Sequence, residues 1–266
     1  MDRFAHDPRS QGECAIMSDV QYLETAQGRR LAYHLTPGAG PWVVFLGGLK
    51  SDMNGTKALH LEVWCKAAGR GFLRFDYSGH GESSGTFEQG AIGDWAQDTA
   101  AALTTLTEGK LVLVGSSMGG WQSLLFARAY PHLVAGLVTI AAAPDFTEDG
   151  YWAAFTDAQK TSLDRDGQIE MPSDYMEPFI ITKRLIEDGR AHLVLRDPLP
   201  LPFPVRCLQG TADTAVSTQT ALRLLDHADS PDMRLTLVKD AYHRFSDGPC
   251  LGLIEAAIVD VLAHVQ

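Results

Sequence analysis

Cysteine is scarce and scattered in this chain. Cys14, Cys65, Cys207 and Cys250 are spread over 266 residues, with no C-x-x-C pair and no histidines at zinc-ligand spacing beside them. That distribution argues against a disulfide scaffold and against a structural zinc site, and the four are expected to be reduced, mostly buried thiols. Positive charge is also in short supply. Lysine and arginine number 22 against 33 aspartates and glutamates, a net charge of −11, which repels phosphate backbones and anionic membrane surfaces and argues against nucleic acid as a partner. No apolar run approaches the length of a membrane span. The first twenty residues carry neither the apolar stretch of a signal peptide nor the acid-poor composition of a transit sequence. A cytoplasmic protein is expected, with residues 1–19 a loose N-terminal extension. Internal repeats and low-complexity tracts are absent as well.

What remains has the composition of an ordinary globular protein, 45% hydrophobic and 21% charged. Its length suits one α/β domain carrying an insertion. Gln21–Thr25 and Arg30–Leu35 flank Gln27-Gly28 as an antiparallel hairpin. Trp42-Val43-Val44-Phe45-Leu46 is a short continuous apolar run, the mark of a strand covered on both faces. Helical spacing over 56–69, with Thr56 as N-cap, leads to a strand at 71–76. Further alternation predicts a helix over 91–106, strands at 111–115 and 133–140 with a helix after Ser117 between them, and later strands at 205–209 and 235–238. Strands and helices alternating in this way imply a mainly parallel sheet flanked by helices. Residues 144–204 break the rhythm with aromatics (Phe146, Tyr151, Trp152, Phe155, Tyr175, Phe179), a predicted helix around 178–188 and a proline-rich exit. Their place between two sheet strands makes them a candidate cap.

The stretch Val112-Leu113-Val114-Gly115-Ser116-Ser117-Met118-Gly119-Gly120 carries the chemistry. An apolar strand runs straight into a G-x-S-x-G turn, in which a serine sits on a sharp strand-to-helix bend. The residues two before and two after that serine must be small for strand and helix to approach. Ser117 is flanked by Gly115 and Gly119, whereas Ser116 is flanked by Val114 and Met118. Ser117 is therefore the candidate nucleophile. A serine hydroxyl needs a base to take its proton and an acid to orient that base, and in a parallel sheet all three can meet at the carboxyl ends of the strands. Asp213 follows the strand ending Leu208-Gln209-Gly210, and His243 follows the next strand, giving the order serine, acid, histidine. Asp145, after the strand that follows the nucleophile, is an alternative acid. Asp240 is expected to satisfy loop amides, Asp76 ends a strand, and His80, between two glycines, reads as a solvated loop residue. The amides of Met118 and of Leu49, after Gly47-Gly48, are the candidate donors to the oxyanion that acyl transfer generates.

Phe45 to Leu49, Asp76 to Ser83, the serine turn, Gly210 to Asp213 and His243 together resemble the α/β-hydrolase superfamily over nearly the whole chain. A narrower likeness lies in Asp52 to Ala58, Arg74 to Gly79, Gly115 to Trp121, Met171 to Tyr175 and His243-Arg244. These segments resemble the mitochondrial abhydrolase-domain thioesterases that act on palmitoyl-protein and on mycophenolic acid acyl-glucuronide. The resemblance implies an α/β-hydrolase fold and an esterase or thioesterase that uses no metal or organic cofactor. Its substrates would be small-molecule esters or thioesters, acylated protein included. Ser117, Asp213 and His243 match the nucleophile, acid and base positions. Mitochondrial location is not expected to carry over, because no transit peptide is recognisable. Two other readings of the same residues stay open: hydrolysis of a carbon–carbon bond by the same triad, and a non-catalytic ligand-binding protein on the same fold.

Overall fold

The computed structural model describes residues 20–171 and 178–265. The extension expected over residues 1–19, Cys14 and Tyr175 lie outside them. In chain order the elements are β1 (Gln21–Glu24), β2 (Arg30–Thr36), β3 (Ala39–Leu46), α1 (Thr56–Ala67), β4 (Arg70–Phe75), α2 (Ile92–Leu106), β5 (Leu111–Ser116), α3 (Met118–Ala129) and β6 (Val134–Ile140). A π-helical turn over Phe146–Trp152, α4 (Asp157–Asp166), β7 (Gln168–Met171), β8 (Phe179–Thr182) and α5 (Lys183–Arg190) follow. Then come β9 (Leu199–Pro200), β10 (Val205–Gly210), α6 (Thr218–His227), β11 (Ala228–Asp229), β12 (Met233–Val238) and α7 (Gly248–Ala263).

Eight strands form one sheet in the order β1-β2-β4-β3-β5-β6-β10-β12. The pairings β1–β2 and β2–β4 are antiparallel, and all those from β4 to β12 are parallel. The hairpin turns at Gly28, whose φ of 76° suits a residue without a Cβ. Strict alternation sorts the parallel strands' side chains onto two faces. Val44, Leu46, Leu73, Leu111, Leu113 and Leu137 pack on one face with Trp95 of α2 and Trp121 of α3. Val43, Phe45, Phe72, Val112, Val114 and Val138 pack on the other with Leu61 of α1 and Ile254 and Ile258 of α7. Both tryptophans are fully buried, and truncating either to alanine costs roughly 3–5 kcal/mol. Cys65, Cys207 and Cys250 are buried free thiols.

Two expectations need correction. Thr56 is the first residue of α1 rather than its cap; Gly55 occupies the cap position. The helix expected over 178–188 begins at Lys183, because Phe179-Ile180-Ile181-Thr182 pairs antiparallel with β7 instead. Their aromatic and β-branched side chains favour the extended state, and the Thr182 hydroxyl accepts the Leu185 amide at 3.1 Å to start α5.

The segment between β6 and β10 is tied to the body by buried polar contacts. The Asp145 carboxylate, fully buried, accepts the amides of Val194 at 2.8 Å and Leu195 at 3.0 Å and the Arg196 guanidinium at 3.2 Å. Asp188 accepts the Gly93 amide at 2.7 Å, in the first turn of α2, where a carboxylate also meets the positive end of the helix dipole. Trp121 donates from Nε1 to the His192 carbonyl at 3.1 Å. Among the described residues, no helix is long and apolar enough to cross a membrane.

Candidate active site

Ser117 sits between β5 and α3 with φ 56° and ψ −118°, a combination that a residue with a side chain adopts only when its surroundings hold it there. Three backbone bonds do so. The Ser117 amide donates to the Ile140 carbonyl at 2.9 Å, and the Ser117 carbonyl accepts the amides of Gly120 at 2.9 Å and Ala143 at 3.0 Å. The flanking glycines are required by contact. A Cβ on Gly115 would lie 2.4 Å from the Gly119 carbonyl oxygen, and one on Gly119 would lie 2.0 Å from that of Leu46. Ser116 remains within β5 and is buried, whereas Ser117 is partly exposed.

The strand order brings the later candidates to this turn. His243 follows β12 and Asp213 follows β10, and the His243 ring bridges the two side chains. Its Nδ1 lies 2.8 Å from Asp213 Oδ2 and its Nε2 lies 3.2 Å from Ser117 Oγ. With the Nδ1 proton donated to a carboxylate, the Nε2 lone pair is left to accept the Ser117 hydroxyl proton. The Asp213 side chain is fully buried. Burial works to raise its pKa, but the His243 ring, the Val216 amide and Gln209 outweigh it and hold the carboxyl below the usual range. Its Oδ1 accepts the amides of Ala215 at 2.9 Å and Val216 at 2.8 Å.

Gln209, a buried residue that the sequence presented only as the end of a strand, completes this arrangement. Its Nε2 donates to Asp213 Oδ2 at 3.1 Å and to the Val216 carbonyl at 3.0 Å, pinning both ends of the Asp213 turn. The only signal for it was an amide side chain at the end of a buried strand, directly before Gly210 and the Asp213 loop.

The two candidate oxyanion donors also lie here. Met118 is the first residue of α3, so its amide has no acceptor within the helix. Leu49 lies in the turn after β3, and a Cβ on the preceding Gly48 would stand 3.4 Å from Ser117 Cβ. A cavity of about 680 Å³ opens above Ser117, lined also by Leu49, Met118 and His243. Its wall is apolar where Phe146, Met171 and Phe179 face it and polar around Asp52, Thr56, Lys57 and Ser246. Lys57 donates to the Arg244 carbonyl at 2.5 Å. Burial, and secondarily the Arg244 charge, push the Lys57 ammonium down to about 8.

The other candidates are engaged elsewhere. Asp145 is committed to the amides and arginine described above. Asp76 accepts the Met53 amide at 2.6 Å and the Glu82 amide at 2.9 Å. Asp240 is exposed, with φ 60°, and its amide donates to the Thr211 hydroxyl at 2.9 Å. His80 is not solvated. It is 4% exposed, boxed edge-on by Tyr77, Phe87 and Trp95, and its Nδ1 lies 3.2 Å from the Ser78 carbonyl. Its Nε2 is buried without a partner among the described residues, and burial pushes its pKa down to about 4.

A mainly parallel sheet with a serine on a strained strand-to-helix turn at its centre defines an α/β hydrolase. The family profile of the alpha/beta hydrolase fold matches residues 41–191, and the chain belongs to that family. Within it, the chain is similar to the mouse mitochondrial palmitoyl-protein thioesterase ABHD10, 35% identical over 251 residues that cover 94% of this chain and 84% of that protein. The solved structure of mouse alpha/beta hydrolase domain-containing protein 10 superposes with a TM-score of 0.87 at 33% identity, covering 94% of this chain and all of that one. A putative hydrolase from Agrobacterium vitis S4 gives 0.86 at 38% identity, covering 93% of this chain and 99% of its own. The mouse protein and its mammalian counterparts are named as mitochondrial. That finding overturns the cytoplasmic expectation. The expectation rested on not recognising a signal, transit or membrane-spanning segment, and failing to recognise an address is not itself an address.

Proposed function

We propose that this protein is a serine hydrolase that cleaves carboxylic esters or thioesters through an acyl-enzyme. The observation that carries the reading is the His243 ring, 2.8 Å from Asp213 and 3.2 Å from Ser117. Ser117 Oγ attacks the substrate carbonyl carbon while His243 Nε2 takes its proton. The carbonyl oxygen becomes an oxyanion held by the Leu49 and Met118 amides. As the carbonyl re-forms, the bond to the leaving oxygen or sulfur breaks and His243 returns its proton to that atom. Water then repeats the sequence on the acyl-Ser117 ester and releases the acid. Asp213 stays ionised, orients His243 and stabilises the imidazolium. The segment over residues 144–204 acts as a cap whose aromatics roof the acyl group. The thioesterase name of the mouse relative supports thioesters among the substrates, acylated protein included.

Labelling with a fluorophosphonate probe tests the reading. Wild-type protein is expected to be labelled at Ser117. Ser117→Ala should stay folded, escape labelling and lose at least about 10⁴-fold in nitrophenyl-ester turnover. Unlabelled, folded wild-type protein would instead favour a ligand-binding role.

A further inference from the structure

The segment between β6 and β10 presents Ala143, Phe146, Gly150, Tyr151, Met171 and Phe179 to the cavity. Among these described residues, Tyr151 alone has a polar side chain. Its ring is fixed on three sides. Phe146 meets it edge-on at 5.3 Å between ring centres, Phe155 lies parallel at 6.3 Å, and Phe179 tilts against it at 6.4 Å. The Tyr151 hydroxyl makes no hydrogen bond to any described residue, yet its oxygen is not sealed within the protein. A phenol in apolar surroundings ordinarily finds a partner. Pockets hold their ligands by a few polar groups set in an apolar wall, and this one has its polar atom uncommitted.

The chemistry fixes which part of a substrate it meets. The leaving atom must sit beside His243 Nε2 to receive a proton, and His243 lines the cavity together with Arg244 and Ser246. The acyl group leaves the carbonyl carbon on the other side, and Phe146, Met171 and Phe179 with Tyr151 form the apolar wall of the same cavity that suits it. Resting on the serine-hydrolase reading, we propose that Tyr151 is a specificity-determining residue whose hydroxyl donates a hydrogen bond to an oxygen carried by the acyl group. Among acyl groups of matched length, those bearing one acceptor oxygen are then preferred over their all-carbon counterparts. Burial pushes the phenol up to about 12, so it remains a donor throughout the neutral range.

The test compares wild-type protein with Tyr151→Phe, which keeps the ring contacts and removes only the hydroxyl. Nitrophenyl esters whose acyl chains carry a single ether or keto oxygen at successive positions are assayed beside their all-carbon counterparts. Wild-type enzyme is expected to favour at least one oxygen-bearing ester in kcat/KM, and Tyr151→Phe to lose about tenfold of that preference. If the wild type favours none of the oxygen-bearing esters, or the preference survives in Tyr151→Phe, the proposal falls. Fluorophosphonate labelling of both proteins separates the two levels. Labelled Ser117 without an oxygen preference overturns only the role of Tyr151, whereas unlabelled, inactive wild-type protein overturns the hydrolase reading and this inference together.

Discussion

Gly119 passes the end of β3 so closely that a methyl group on its Cα would lie 2.0 Å from the Leu46 carbonyl oxygen. The obstacle is backbone, not a side chain that can swing aside, and Leu46 leads directly into Gly47-Gly48-Leu49. Gly119→Ala must therefore push β3 and α3 apart at the point where the nucleophile and an oxyanion donor meet. We expect a stability loss of about 1–3 kcal/mol or more and a fall in kcat/KM of at least about 100-fold, read by thermal unfolding and an ester assay. A variant with wild-type rate and midpoint would show that the close approach is dispensable.

The two candidate acids make separable predictions. Asp213→Asn keeps the shape of the carboxylate but no longer stabilises a charged His243, so kcat should drop on the order of 10³–10⁴-fold with the fold intact. Asp145→Asn instead disturbs a buried carboxylate that joins two amides and an arginine. It should cost about 3 kcal/mol of stability while lowering kcat of the folded fraction less than tenfold. The reverse pattern in parallel melts and kinetics would make Asp145 the acid.

His80 makes the protein acid-sensitive. Its folded pKa of about 4 lies below the ordinary value of 6.5, so the unfolded chain binds the extra proton first and stability declines as the pH falls from about 6.5 to 4. For a ring 4% exposed, the loss is on the order of 3 kcal/mol. His80→Phe fills the same aromatic box without titrating. The Ser78 carbonyl keeps a donor, because Trp95 Nε1 reaches it at 3.1 Å. The drop in melting temperature between pH 7 and pH 5 should shrink in this variant; an unchanged drop would place the acid sensitivity elsewhere.

Lys57 acts at the other end of the scale. Its folded pKa of about 8 lies below the ordinary 10.5, so between those values the unfolded chain holds more protons and stability rises with pH. The slope is about 1.4 kcal/mol per pH unit for one proton. Lys57→Met should remove that rise between pH 8 and 10 in denaturant titrations. Identical slopes for the two proteins would mean that the ammonium is not desolvated.

Most of the sheet was legible because strands buried on both faces must be continuously apolar, as Trp42–Leu46 and Leu111–Val114 are. Ser117 was legible because a strained turn excludes side chains at two fixed offsets, a local demand that leaves a local pattern. Asp213 and His243 could be named from chain order. His80 was misread because flanking glycines ordinarily mean a solvent loop, while here positive φ at Gly79 and Gly81 folds the ring inward against residues 77, 87 and 95. The start of α5 was misplaced because the pairing that makes Phe179–Thr182 a strand involves a partner that the local window does not contain.

By itself, then, the sequence determined the parallel sheet, the serine turn and the chemistry available to it, since each follows from period, charge and steric size within a few residues. Only the tertiary structure decided that Asp213 rather than Asp145 reaches the His243 ring, that Gln209 braces that carboxylate, and that Tyr151 lines the cavity with no hydrogen bond to a described residue. Those outcomes depend on which strand ends the sheet order makes neighbours. Contacts between residues 30 to 126 positions apart are set by packing across the whole domain, which no short stretch of chain records.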